Sequence, residues 1–146
     1  FLRRKQIMAK NGFSMSNRLA VEEITAGSTK TLTVDDCGKF FFVEQGAVAT
    51  TINLPTLAAA ESGWNVTVVK AVSGSSSAKI DVKASADDGT TPMVGVELGP
   101  SCAVLSGDDL SIANVAEAGT QVTLTCIGGN WIVTGRTATD AGITIA

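Results

Sequence analysis

The sequence predicts an all-β fold: an antiparallel jelly roll or β-sandwich of about 8–10 short strands behind an extended N-terminal arm. Three observations carry that expectation. From Ser28 onward apolar residues recur at every second position, the period of a half-buried strand. Turn residues interrupt the pattern at intervals of about 8–12 residues. Residues 119–135, GTQVTLTCIGGNWIVTG, spell a β-hairpin almost in full. The arm occupies residues 1–27 and the β domain residues 28–146.

The hairpin is the centre of this reading. Gly128-Gly129 supplies the two middle positions of a tight turn, where positive φ is sterically free for glycine. Cys126 then faces Trp131, Leu124 faces Val133, and with Val122 these side chains share one apolar face. Thr123 opposite Thr134, Gln121 opposite Arg136 and Thr125 opposite Ile132 form the other. A three-residue turn would slip the register by one and mix the faces, so the alternation selects the two-residue turn. Val122, Leu124, Cys126, Gly128, Gly129, Trp131 and Val133 are therefore the expected structural core of one sandwich wall.

The remaining strands follow from the same rule. Residues 29–34 alternate Leu32 and Val34 inward and end in the turn 35–38; residues 39–44 and 50–54 follow, the latter closed by Pro55. Residues 56–61, TLAAAE, have helical propensity enough for a single turn bridging the sheets. Trp64, Val66 and Val68 open a long strand to Ala71, and the alternation resumes at 79–83, 93–98, 101–105, 110–112 and 143–145. No internal repeat of solenoid kind is present.

At 146 residues the chain fits one domain. Charged residues make up 17%, below the usual quarter of a globular protein, and Gly, Ser, Thr and Ala take their place. Two readings stand: a surface covered by a partner, or a plain Thr/Ser/Ala exterior. No stretch approaches the length of a membrane span. Arg3-Arg4-Lys5 is followed by Gln6-Ile7-Met8-Ala9-Lys10, which is no apolar signal core, so export by a cleaved signal is not expected.

Charge is distributed unevenly. The first twenty residues carry Arg3, Arg4, Lys5, Lys10 and Arg18 and no acid, whereas six basic residues face 14 acidic ones in the rest, a net charge near −8. Phe13, Met15 and Leu19 lie among the cations without a helical or strand period. A solvated tail would have this charge, and a nucleic-acid-binding tail would have it too, although five cations on an acidic body give only weak, salt-sensitive affinity. The apolar anchors favour a third reading, an arm that folds against a neighbouring acidic surface.

The sequence offers little to catalysis. Histidine and tyrosine are absent, which removes the commonest general base, the commonest zinc ligand and the phenol acid. Cys37, Cys102 and Cys126 have no CxxC spacing, so a closed structural zinc site within one chain is excluded. Cys126 and Cys102 read as small core residues, and Cys37 lacks the imidazole partner that would activate it. The pairs Asp35-Asp36, Asp87-Asp88 and Asp108-Asp109 stand at strand ends outside any D-x-D-x-D-G loop, where Asp makes turns rather than calcium sites. Trp64 and Trp131 alternate in phase with core valines and read as packing, not as sugar platforms. No catalytic residue, metal site or cofactor is expected.

Four stretches carry a resemblance. They are Thr31 to Val43 (TLTVDDCGKFFFV), Thr51 to Pro55 (TINLP), Gly63 to Val69 (GWNVTVV) and Gly128 to Gly135 (GGNWIVTG). Together, over about residues 28–136, they resemble the jelly-roll head decoration (cement) proteins of tailed bacteriophages; similar punctuation occurs in tail-fibre and tail-spike modules. Cys37 departs from the commoner small polar residue, and the arm matches no pattern. The resemblance implies a virion structural protein on the capsid exterior, made in the host cytoplasm. It implies a trimer that binds the major capsid protein and bridges neighbouring subunits, with no direct nucleic-acid or membrane contact. Arg3, Arg4, Lys5, Lys10, Phe13, Met15, Arg18 and Leu19 would then lie across capsid subunits or protomers. The alternative is a tail β module that binds host glycans.

Overall fold

In the computed structural model, which describes residues 20–44, 46, 48–72 and 79–146, the alternating stretches form twelve strands. These are β1 (Val21–Ile24), β2 (Thr29–Thr31), β3 (Phe40–Val43), β4 (Thr50–Asn53), β5 (Asn65–Lys70) and β6 (Ile80–Lys83), then β7 (Met93–Leu98), β8 (Val104–Gly107), β9 (Asp109–Ile112), β10 (Gln121–Ile127), β11 (Asn130–Arg136) and β12 (Ile143–Ile145). A single helical turn, α1 (Leu57–Ala60), lies between β4 and β5. Two sheets result: a seven-stranded one ordered β1-β3-β5-β10-β11-β7-β8 and a five-stranded one ordered β12-β9-β6-β4-β2. Their inner faces enclose one apolar core, so the protein is an all-β sandwich.

The expectation of antiparallel sheets is corrected. β1 with β3, β3 with β5, β11 with β7, β2 with β4 and β4 with β6 run parallel. A jelly roll has antiparallel sheets throughout, and this chain does not. For the four pairs among β1–β6 the cause is the path of the first six strands. Each one crosses to the opposite sheet and the next returns in the original direction, so β1, β3 and β5 stack in one layer and β2, β4 and β6 in the other. Parallel neighbours require such crossovers, here supplied by the other layer instead of by helices. The winding is solenoid-like although no sequence repeat announces it. A second correction concerns the domain boundary: Val21–Ile24, assigned to the arm, forms β1 and pairs with β3. Arm residues Arg3, Arg4, Lys5, Lys10, Phe13, Met15, Arg18 and Leu19 lie outside the described residues.

The hairpin β10–β11 occupies the middle of the larger sheet. Cys126 stands opposite Trp131, Leu124 opposite Val133 and Thr123 opposite Thr134, with Gly128 and Gly129 at φ 59° and 81° in the two-residue turn. Val122, Leu124, Cys126, Trp131 and Val133 are buried. Burial pushes the Cys126 thiol up, as suits a packing residue. Cys102, expected in the core, is exposed at φ 48°, in the turn between β7 and β8. The run around it is apolar, but its backbone turns away from the sheet.

Two of the three acid pairs build turns or caps, whereas Asp109 belongs to β9 and pairs with Lys83. Asp36 accepts from the Thr33 N–H at 2.9 Å while the Thr33 hydroxyl accepts from Asp35 N–H at 3.3 Å, which caps the short 3-10 turn Val34–Asp36. Asp88 accepts the Leu57 N–H at 3.0 Å and so caps α1 from across the chain. Asp108 lies where the chain passes from β8 to β9 and between the sheets, and its N–H donates to Ala146 O at 2.9 Å. Gly107 permits that closure, because a Cβ there would stand 2.2 Å from the Ala146 carbonyl oxygen.

Trp64 and Trp131 meet edge-to-face in the core, with ring centroids 5.5 Å apart. Trp64 Nε1 donates to Val34 O at 3.0 Å, whereas Trp131 Nε1 meets no acceptor among the described residues. The two rings offer a controlled comparison. Trp64→Phe and Trp131→Phe remove the same volume, but only the first removes a hydrogen bond, so urea unfolding should show Trp64→Phe the more destabilising by about 1 kcal/mol. Equal losses would mean that the Val34 bond contributes nothing.

Candidate functional site

Alternation leaves each strand of the larger sheet with an outer face, and that face is unusual. Across its middle run Thr67, Thr123 and Thr134, aligned by the β5–β10–β11 register. On one flank stand Val21, Phe40, Phe42 and Val69; on the other stand Val94, Val96, Leu98, Val104 and Ile132. Leu98 is 53% exposed and Val104 83% exposed. The charges that β1, β3, β5, β7, β8, β10 and β11 present outward are Glu23 and Arg136. An exterior apolar on both flanks and hydroxyl in the centre is a surface suited to burial against a partner.

β7 shows how the face arises. Its sequence MVGVEL offers two alternating sets, Met93/Gly95/Glu97 and Val94/Val96/Leu98. Hydrophobicity alone would turn the second set inward. The parallel register with β11 sets Met93 beside Trp131, Gly95 beside Val133 and Glu97 beside Gly135, all on the core side. The valines and Leu98 are thereby forced outward. The strand is amphipathic in the reverse sense.

Two shallow grooves cross this face and meet at Gly119 and Gln121. One, of about 430 Å3, is lined by Val21, Phe40, Phe42 and Val69; the other, of about 410 Å3, by Leu98, Thr120, Arg136 and Thr137. Their shared border is held by Lys70, a side chain the sequence reading did not single out. Lys70 is wholly buried; its Nζ donates to Asn114 O at 2.9 Å and also to Ala116 O. Burial pulls its pKa down, and the Glu117 carboxylate opposes that. Backbone bonds from Lys70 N to Thr120 O and from Gly119 N to Lys70 O, both 2.8 Å, complete the fastening.

The β1 edge, from which residues 1–19 depart, is anchored by charge. Ala20 O accepts from Phe40 N at 2.8 Å, beside the first groove. Glu22 pairs with Lys30 and, at 3.1 Å, with Lys39, which in turn meets Asp36 at 2.7 Å. These pairs tie β1 to β2, to the 3-10 turn and to the start of β3. Bonds from Lys30 and Lys39 hold the Glu22 carboxyl below its ordinary 4.5. Burial works against the Asp36 charge, but the bonds from Lys39 and the Thr33 N–H outweigh it and keep that carboxyl below 3.8.

Among the described residues no group of three or more His, Cys, Asp or Glu side chains is placed to hold a metal ion. Nor does any helix there have the length and apolarity to cross a membrane. Comparison with protein-family models and with curated proteins finds no match.

The Glu22–Lys39–Asp36 network predicts a pH dependence. Both acids have folded pKa values below their unfolded ones, so the stability they contribute is present above about pH 5 and is lost as pH falls through the folded values. Chemical unfolding followed from pH 7 to pH 3 should show declining stability, with a smaller decline in Lys39→Met. An identical decline in that variant would show that the network carries none of it.

Proposed function

We propose that the chain is a non-enzymatic virion structural protein, a decoration protein that binds the outside of a tailed-phage head as a homotrimer and stabilises the shell through contacts with neighbouring subunits of the major capsid protein. One observation carries the reading: the outer face of the seven-stranded sheet, apolar on both flanks and nearly free of charge. A surface of that composition needs a partner of large area, as a capsid shell or a sister subunit offers. The stretches 31–43, 51–55, 63–69 and 128–135, which resemble cement proteins, support the choice of shell. The mechanism is mass action: a ligand that binds only the assembled state stabilises that state.

The second reading is a tail-fibre or tail-spike β module that recognises host glycans. Phe40 and Phe42, side by side on the outer face of β3, favour it, since aromatic faces stack on sugars. Buried Trp64 and Trp131 count against it.

Copy number per particle separates the two. Quantitative mass spectrometry of purified virions should find hundreds of copies in simple ratio to the capsid protein; a handful would move the protein to the tail, and none would remove it from the virion. The face itself is tested by the double variant Val96→Lys/Leu98→Lys. Both side chains are exposed, so stability should stay within about 0.5 kcal/mol of wild type while head binding is lost. Undiminished binding would show that another surface contacts the shell.

A further inference from the structure

Glu97 is the one acid that the core-facing side of β7 carries inward. Its residue exposure is 1%, and its Oε1 accepts from Ser101 Oγ at 3.2 Å. Its other oxygen, Oε2, is buried and meets no donor among the described residues. Buried carboxylate oxygens are almost always bonded, because water lost from them must be replaced. Glu97 lines a cavity of about 190 Å3 at the seam where β8 meets β12, walled by Ala103, Leu105, Ile143 and Ile145, with Ser101 and Thr144 at hand.

The chemistry of this cavity selects its occupant. Small-molecule sites run from about 300 Å3 upward, and this one is smaller. Calcium takes about 6–8 oxygens, and no second carboxylate lines the cavity. Apolar walls with one acid fit a long aliphatic stem that ends in a cation, which is a lysine or arginine side chain. The body has few to offer. Lys30, Lys39, Lys79 and Lys83 are in ion pairs, Lys70 is sealed by backbone carbonyls, and Arg136 faces outward on β11. Five cations remain, at positions 3, 4, 5, 10 and 18, in a segment with no acid.

We propose that Glu97 is a socket for a cationic side chain from residues 1–19 of a neighbouring copy. The segment departs from β1, one edge of the seven-stranded sheet, and the socket lies by β7 and β8 at the opposite edge. Donor and acceptor at opposite edges make a head-to-tail contact, the kind that builds a ring where its rotation closes and a filament where it does not. A route to the chain's own socket would instead draw five cations across an outer face on which the strands offer only Glu23. The inference concerns the contact between copies and stands without the virion reading, so purified protein alone tests it.

The test is sedimentation of the full chain over a concentration series at low and high salt. Wild type should self-associate, less so in high salt. Glu97→Gln, a neutral isostere, should weaken association about tenfold or more with the melting temperature unchanged or raised. A second variant with Arg3, Arg4, Lys5, Lys10 and Arg18 all changed to Gln leaves the β domain untouched and should weaken association as much. Combining the two should weaken it no further, the signature of one shared contact. Independent, additive losses would overturn the proposal, as would a wild-type chain that stays monomeric or a Glu97→Gln chain that associates as wild type does.

Discussion

The register of β10 against β11 is the constraint on which the rest of this structure depends. Two glycines with positive φ fix a two-residue turn, and that turn fixes which side chains point inward. The consequences travel in both directions through the sheet. On one side Val122 and Leu124 align with Val68 and Val66 of β5, which carries the wound portion of the chain. On the other, Trp131 and Val133 align with Met93 and Gly95 of β7. A slip by one residue would bring Thr123 and Thr134 into the core and put Trp131 in solvent. The same register that buries Trp131 also exposes Val96 and buries Glu97. Core, apolar outer face and acidic cavity are three results of a single phase choice.

That choice explains which parts of the protein were legible in its sequence. Residues 121–136 were, because hairpin pairing is local and the alternation of both strands agrees with the turn chemistry. The turn roles of Asp35-Asp36 and Asp87-Asp88 were readable for the same reason. The parallel stacking of β1, β3 and β5 was not. It joins strands separated by an excursion through the other sheet, and no residue within a strand of four records which neighbour it will meet. Val21–Ile24 was assigned to the arm because four residues, two of them glutamates, show too little alternation to announce a strand. Cys102 shows the same limit: an apolar run says nothing of a positive φ that turns its backbone outward.

The candidate site was illegible for a more specific reason. β7 has a usable alternation, but its apolar set, Val94, Val96 and Leu98, faces outward. Local hydrophobicity and the observed register conflict there, and the register places Met93 beside Trp131 in the core, with Val94, Val96 and Leu98 outside. Such conflicts between local pattern and global fold are expected where function intervenes. Glu97 shares the phase of Met93 and Gly95, so the register that buries Met93 beside Trp131 also buries the acid and exposes the three aliphatic residues.

Lys70 and Glu97, the two most deeply buried charged residues among those described, have different standing. Lys70 is surrounded by carbonyls that its ammonium can satisfy, and it fastens the 114–120 segment against the sheet. It is complete among the described residues. Glu97 is not, since Ser101 is the one donor found there and the carboxylate can accept several. The sheet edges differ in the same way. At β1 Glu22 is paired with Lys30 and with Lys39, which Asp36 also holds, so the edge is secured next to the basic segment. At β8 the seam with β12 borders the cavity that Glu97 lines. The β1 edge leads by sequence into a segment of five cations, and the opposite edge holds an acid with one oxygen unbonded among the described residues, with a face that carries only Glu23 and Arg136 between them. Copies joined edge to edge, as proposed, would give that acid a donor and align their outer faces into one broad surface.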